Sequence, residues 1–248
     1  MDQGNGGAMA GKNIPLNERI IFALDVDNVD LAKEWVMRLE DHVRFYKVGL
    51  QLFLAGWFPV IEWIRGRGHK VMVDLKFFDI PETVGLAVRQ LKDRGATFAT
   101  VHGNDPIVEA AVKAKHDLKI LAVTVLTSFG KEDMEEMFGT SVNIEDLVYS
   151  RARRALNVGC DGIVSSGLEA KRLRDGLGDN FLVVTPGIRP GVNREEQMDD
   201  QKRIVTAGIA VANGADHVVV GRPISTANDP VSVVLTMQGE IERALAVG

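Results

Sequence analysis

The sequence predicts an α/β chain folded as one (β/α)8 (TIM) barrel, and three observations carry that expectation. Short apolar runs such as Ile20-Ile21-Phe22-Ala23-Leu24 lack the polar alternation of a half-exposed strand, so they suit a parallel sheet covered on both faces. Each run is followed by a helical pattern, with no second composition regime and no linker. Eight such units in about 230 residues fit a closed barrel. No G-x-G-x-x-G follows the first strand to favour an open dinucleotide-binding sheet.

The first apolar run ends in Asp25, and Asp30 is placed to cap a helix reaching Leu39. Phe45 to Val48 reads as the second strand, with Lys47 inside it, a costly position unless the lysine faces a polar cavity or a partner. After Gly56 a helix is expected from about Pro59 to Arg67, then a third strand through Val71-Met72-Val73-Asp74-Leu75-Lys76. Pro81 opens the next helix, Phe98 to Val101 forms the fourth strand ending at His102, and Pro106 opens another helix at its favoured first turn. Ile120 to Leu126 is the fifth strand, ending at Thr127-Ser128, and Phe129 to Thr140 is a charged loop with room for a short helix. A helix over Ile144 to Val158, a strand over Gly162 to Val164 ending at Ser165-Ser166, and a helix over Leu168 to Leu177 follow. Phe181 to Val184 is the seventh strand, and a long polar loop runs on to Gln201. A helix over Ile204 to Asn213, a strand over His217 to Val220 and a last helix from Pro230 to Leu245 complete the chain.

At 248 residues, with 46% hydrophobic and 25% charged residues, the chain has the composition of a soluble globular protein with a real core. Its formal net charge of -5 argues against a general nucleic-acid binder, though a local basic pocket can still hold a small anion. The single cysteine, Cys160, precludes an internal disulfide and suits a reducing compartment, so a cytoplasmic location is expected. No apolar run approaches the roughly 18 residues of a membrane span. Residues 1–16 are Gly-rich at the start and lack the apolar core of a secretory signal; they are expected to form a flexible extension ahead of a barrel domain over residues 17–248.

In this fold the active site lies at the C-terminal ends of the strands. Read so, the mouth presents Asp25, Lys47, Asp74 with Lys76, His102, Thr127, Ser165, Arg189 and Arg222. Any one of these has a structural explanation, but together they repel and desolvate one another at a cost that stability does not explain. Alternation along the third strand should set Asp74 and Lys76 on one face, and Asp79 adds a carboxylate just beyond. A lysine among carboxylates suits proton delivery, whereas Schiff-base chemistry needs a neutral amine. Loops after strands seven and eight commonly grip phosphate in such barrels. Here they hold Pro186-Gly187-Ile188-Arg189 and Val220-Gly221-Arg222, glycine for close backbone approach and arginine for charge-assisted bonds.

The stretch Asp74-Leu75-Lys76-Phe77-Phe78-Asp79-Ile80-Pro81-Glu82-Thr83-Val84 resembles the signature of the orotidine 5'-phosphate decarboxylase family. Tyr46-Lys47-Val48-Gly49, Leu126-Thr127-Ser128, Thr185-Pro186-Gly187-Ile188-Arg189-Pro190, Asp200-Gln201-Lys202-Arg203 and Val220-Gly221-Arg222-Pro223 fall where that family has matching segments, from Asn17 to the C-terminus. The resemblance implies a homodimer with shared active sites that needs neither metal nor cofactor, acts on orotidine 5'-monophosphate, and binds no nucleic acid and no membrane. It implies that Lys47, Asp74, Lys76 and Asp79 form a charge network, with Asp79 and Thr83 reaching in from the neighbouring subunit. Asp25 and Thr127 should lie near the ribose and base, and Arg189, Gln201, Gly221 and Arg222 should hold the 5'-phosphate. Asn104-Asp105-Pro106 follows His102 where the family tends to have small residues, so His102 is assigned no role. Two rivals stand beside this reading. One is a Mg2+-dependent sugar-phosphate barrel with the same Asp-x-Lys-x-x-Asp core, which needs an acidic residue where Lys47 stands; the other is a non-catalytic phospholigand-binding barrel.

Overall fold

The computed structural model describes residues 12–191 and 204–247. Among them eight parallel strands close into a barrel in sequence order, β1 (Ile20–Ala23), β2 (Phe45–Gly49), β3 (Lys70–Phe77), β4 (Phe98–His102), β5 (Lys119–Val123), β6 (Gly162–Val164), β7 (Leu182–Thr185) and β8 (His217–Val220). The ring shuts where β8 pairs with β1, Ile20 opposite Val218. The helices are α1 (Leu16–Arg19), α2 (Val29–Leu39), α3 (Leu50–Gly66), α4 (Pro81–Gln90), α5 (Asp105–Ala114), α6 (Lys131–Phe138), α7 (Ile144–Asn157), α8 (Ala170–Leu177), α9 (Ala207–Ala212), α10 (Arg222–Ser225) and α11 (Pro230–Val247). Of the expected extension, residues 1–11 lie outside the described residues, and Lys12 already pairs with Asp216 at 2.7 Å. Among the described residues no helix is long and apolar enough to cross a membrane.

Strand alternation sorts the apolar residues into two cores. Ile21, Ala23, Phe45, Met72, Phe98, Leu121 and Val219 fill the barrel interior, whereas Ile20, Phe22, Leu24, Tyr46, Val71 and Val73 pack outward against the helices. Both sets are buried, which is why the strands read as unbroken apolar runs.

The element boundaries differ from expectation for local reasons. Asn28, not Asp30, caps α2, its side chain accepting the Leu31 N–H at 2.9 Å. The helix expected from about Pro59 is present, but an unexpected helical segment from Leu50 precedes it within α3; the two are separated at Trp57, whose φ is 48°, and Pro59 cannot donate into the preceding turn. β5 stops at Val123 rather than Leu126, since the three-residue β6 offers no ladder partner beyond it. The helix expected from Ile204 starts at Ala207, because Val205 bridges to Ile188 and Thr206 takes the cap. The charged loop from Phe129 does hold a short helix, α6, closed by Gly139 in the left-handed conformation.

The floor of the barrel is aromatic. Phe45 and Phe98 lie 4.9 Å apart, centroid to centroid, and each meets the His217 ring edge-on, at 5.5 and 5.4 Å. His217 is 3% exposed and its Nδ1–H donates to the Glu18 carbonyl at 2.9 Å. Burial pushes its pKa down to about 4, outweighing the Glu18 hydrogen bond and the nearby Asp216. The neutral ring therefore favours the fold, fully so above the ordinary histidine value, and that contribution fades as pH falls from about 6.5 toward 4. Between about pH 7 and pH 5 the wild-type chain should lose roughly 2 kcal/mol more stability than His217→Gln. Urea unfolding of both chains at the two pH values checks this; parallel losses would show that His217 is not the group titrating.

Candidate active site

The inward parity that builds the interior core also builds the mouth. Two residues beyond Ala23, Phe45, Met72 and Phe98, the same face carries Asp25, Lys47, Asp74 and Thr100. Lys47, 8% exposed, donates to Asp25 Oδ1 at 2.9 Å and lies 3.7 Å from Asp74 Oδ2, so the partner demanded by a lysine inside a strand is present twice over. Gly49 makes room for this pair, because a Cβ there would come within 3.1 Å of Lys47 Nζ and 3.3 Å of Asp25 Oδ1. Lys76 Nζ donates to both oxygens of Asp74, at 2.9 and 3.0 Å. Burial acts most strongly on the Asp74 carboxyl and pushes its pKa up. Lys47, Lys76 and the Thr100 hydroxyl together outweigh burial and hold it below the ordinary value. A buried carboxylate is thus kept ionised by the cations around it.

Alternation alone does not bring Lys76 beside Asp74. β3 takes four residue steps from Val73 to Phe77 where β4 takes two, from Ala99 to Val101. Lys76 sits within this bulge with a φ of 48°, a left-handed conformation that costs a non-glycine residue about 1–3 kcal/mol. Thr100 supports it: its Oγ1 accepts the Lys76 N–H at 2.9 Å and donates to Asp74 Oδ1 at 2.9 Å. Sequence reasoning passed over Thr100. The available signal was a hydroxyl inside the apolar run Phe98-Ala99-Thr100-Val101, on the inward parity.

Four strands round the ring from β3, β7 leads into Pro186-Gly187-Ile188-Arg189. Gly187 takes a φ of 78°, and Arg189 Nη1 donates to the Ile188 carbonyl at 2.8 Å. β8 leads into Gly221, which caps the one-turn α10 begun by Arg222; the expected strand exit is therefore a short helix. A cavity of about 390 Å3 joins the two regions, within the range of small-molecule pockets. Asp25, Lys47, Asp74 and Lys76 line it together with Thr127, Arg189, Gly221 and Arg222.

Among the described residues, two of the expected site residues are not in that cavity's wall. Asp79 is exposed on the β3–α4 connection and Thr83 is exposed in the first turn of α4; Asp79 Oδ1 accepts the Ile80 N–H at 2.6 Å. Gln201 lies outside the described residues. His102 closes β4 with its ring 4.6 Å from Phe78, its pKa lowered by burial and then by Arg151 and Lys76. Ser165 is buried at the end of β6.

Fold and site together define a (β/α)8-barrel enzyme whose mouth combines a carboxylate–lysine array with paired arginines. Residues 18–237 match the model of the orotidine 5'-phosphate decarboxylase / HUMPS family. The chain belongs to that family. An orotidine 5'-phosphate decarboxylase of Methylococcus capsulatus is 53% identical over 97% of this chain and 98% of its own. The Stenotrophomonas maltophilia protein of the same name is 44% identical over 96% and 99%. Among solved structures, the orotidine 5'-phosphate decarboxylase of Lactobacillus acidophilus superposes with a TM-score of 0.78 at 34% identity, covering 90% of this chain and 99% of that one.

Proposed function

We propose that this protein converts orotidine 5'-monophosphate to UMP and CO2 in pyrimidine biosynthesis, with Lys76 as the proton donor and without metal or organic cofactor. The observation that carries the reading is the buried, ionised Asp74 held between Lys47 and Lys76 in the wall of a cavity that also presents Arg189 and Arg222. Relatives bearing the decarboxylase name over nearly the whole chain support it.

In the proposed reaction the substrate carboxylate lies against Asp74. At about 4 Å and an effective dielectric near 20, that repulsion is roughly 4 kcal/mol before the lysines screen it, and it is relieved as CO2 departs. Enzymatic barrier reductions run to about 8 kcal/mol or more, so repulsion supplies only part. The rest falls to Lys76: as the bond to the carboxylate breaks, the electron pair stays on C6 beside the ammonium, which then gives C6 its proton. Arg189, Gln201, Gly221 and Arg222 are assigned to the 5'-phosphate, and Asp25 and Thr127 to the ribose and base. Binding energy gained at that remote end assists the chemistry.

We further propose that the working unit is a homodimer in which Asp79 and Thr83 of the partner subunit complete each site. Phe78, Ile80 and Leu86 around Asp79, with Leu54 and Trp57 on α3, are 50–66% exposed, more apolar surface than a lone barrel has reason to display there. The Mg2+-dependent rival requires a cluster of acidic ligands. Among the described residues no three His, Cys, Asp or Glu side chains converge, and Lys47 fills the position where acid is expected.

Purified protein should release CO2 from orotidine 5'-monophosphate equally with and without EDTA, followed by loss of the substrate absorbance. Lys76→Ala should abolish turnover and leave the far-ultraviolet circular dichroism unchanged; turnover near the wild-type rate would remove Lys76 from its role. Arg222→Ala should weaken UMP binding by about 1.5–3 kcal/mol and leave uridine binding unaltered, as titration calorimetry can measure. Equal losses for both ligands would place the phosphate elsewhere.

The shared site has its own test. Lys76→Ala and Asp79→Ala chains, each inactive alone, are unfolded, mixed equally and refolded. A site built from two subunits leaves roughly a quarter of all sites intact, because in a heterodimer one site receives both lesions and the other neither. A mixture as inactive as its parents, with heterodimers demonstrated, would show that Asp79 serves its own chain.

A further inference from the structure

We propose that Thr100 is a positioning residue for the reaction, its single hydroxyl tying the backbone of Lys76 to the carboxylate of Asp74. The inference rests on the proton-donor role assigned to Lys76 above. In the bulge the β3–β4 ladder lapses between Val73 and Phe77, so Lys76 N–H has lost its place in the regular strand pairing. The Thr100 side chain fills the lapse at 2.9 Å. With its lone pair engaged by that N–H, the hydroxyl proton points to Asp74 Oδ1, also at 2.9 Å. The same carboxylate oxygen receives Lys76 Nζ at 2.9 Å. Lys76 is therefore anchored at both ends to one small group of atoms, its amide through the Thr100 hydroxyl and its ammonium through Asp74.

Only a short hydroxyl-bearing side chain on the inward parity of β4 makes this closure. Thr100 is fully buried, so water does not compete for its hydroxyl. Neither of its bonds touches the arginine end of the cavity. Its loss should consequently act on the chemical step and not on nucleotide binding. Because the hydroxyl also helps hold the Asp74 carboxyl below its ordinary pKa, its removal should move the acid limb of activity toward neutral pH.

Thr100→Val keeps the shape and removes both bonds. Its kcat for orotidine 5'-monophosphate should fall by about ten- to a hundredfold while KM and UMP affinity stay within about twofold. The acid limb of its pH–kcat profile should rise. Thr100→Ser, which restores the hydroxyl, should recover kcat to within about threefold of wild type and return the acid limb to its place. Thr100→Ala carries the same expectation as the valine chain and replaces it should that chain not fold. An unchanged kcat in the hydroxyl-free chain, an equal fall in UMP affinity, or a serine chain as impaired as the valine one would each overturn the proposal. Wild-type protein that releases no CO2 would instead overturn the decarboxylase reading, so the two failures are told apart.

Discussion

The site depends on keeping a carboxylate ionised where water has largely been removed. Asp74 has a side chain 11% exposed, and an isolated charge so placed would take up a proton or unfold its surroundings. Two ammonium groups and one hydroxyl prevent that, and each is delivered by a different strand: Lys47 by β2, Lys76 by β3 itself, Thr100 by β4. Removing any one leaves the others partly uncompensated, which is why such arrangements are destabilising to break even where their net contribution to stability is small. Asp25 extends the set by neutralising Lys47 from β1, and Gly49 keeps the space open.

Much of this was legible in the sequence because a closed barrel converts strand parity into position. Once Phe45 or Met72 is recognised as interior, Lys47 and Asp74 must follow on the same face, and they do. Less legible were features that depend on a neighbour's length or on a side chain replacing a backbone partner. The end of β5 is fixed by how short β6 is, and the start of α9 by a bridge to Ile188. Asn28 and Asp30 are equivalent as caps until the backbone of α2 is seen. The placement of Lys76 beside Asp74 was expected from simple alternation, yet it is reached through a bulge and a left-handed residue. Thr100 escaped notice for the same reason, since its importance exists only where the ladder fails.

The two kinds of charge in the cavity arise from different structural devices. The carboxylate–lysine array is carried largely by side chains within or at the ends of strands, whose backbones are fixed by the ladder. The arginines come from the segments after β7 and β8, where Gly187 and Gly221 shape the backbone and Ile188 is pinned to Val205. Rigid geometry therefore serves the part where proton transfer is proposed, and adaptable connections serve the part proposed to grip an anion.

The aromatic floor of Phe45, Phe98 and His217 has a consequence for traffic. With Phe45, Phe98 and His217 closing the lower end, the cavity that Asp74 lines opens at the same mouth that carries Arg189 and Arg222. In the proposed reaction, the CO2 set free beside Asp74 would leave past a nucleotide still held by Arg189 and Arg222, and the nucleotide would follow once that hold is released. On that proposal the shared mouth sets an order of departure: gas first, held anion last.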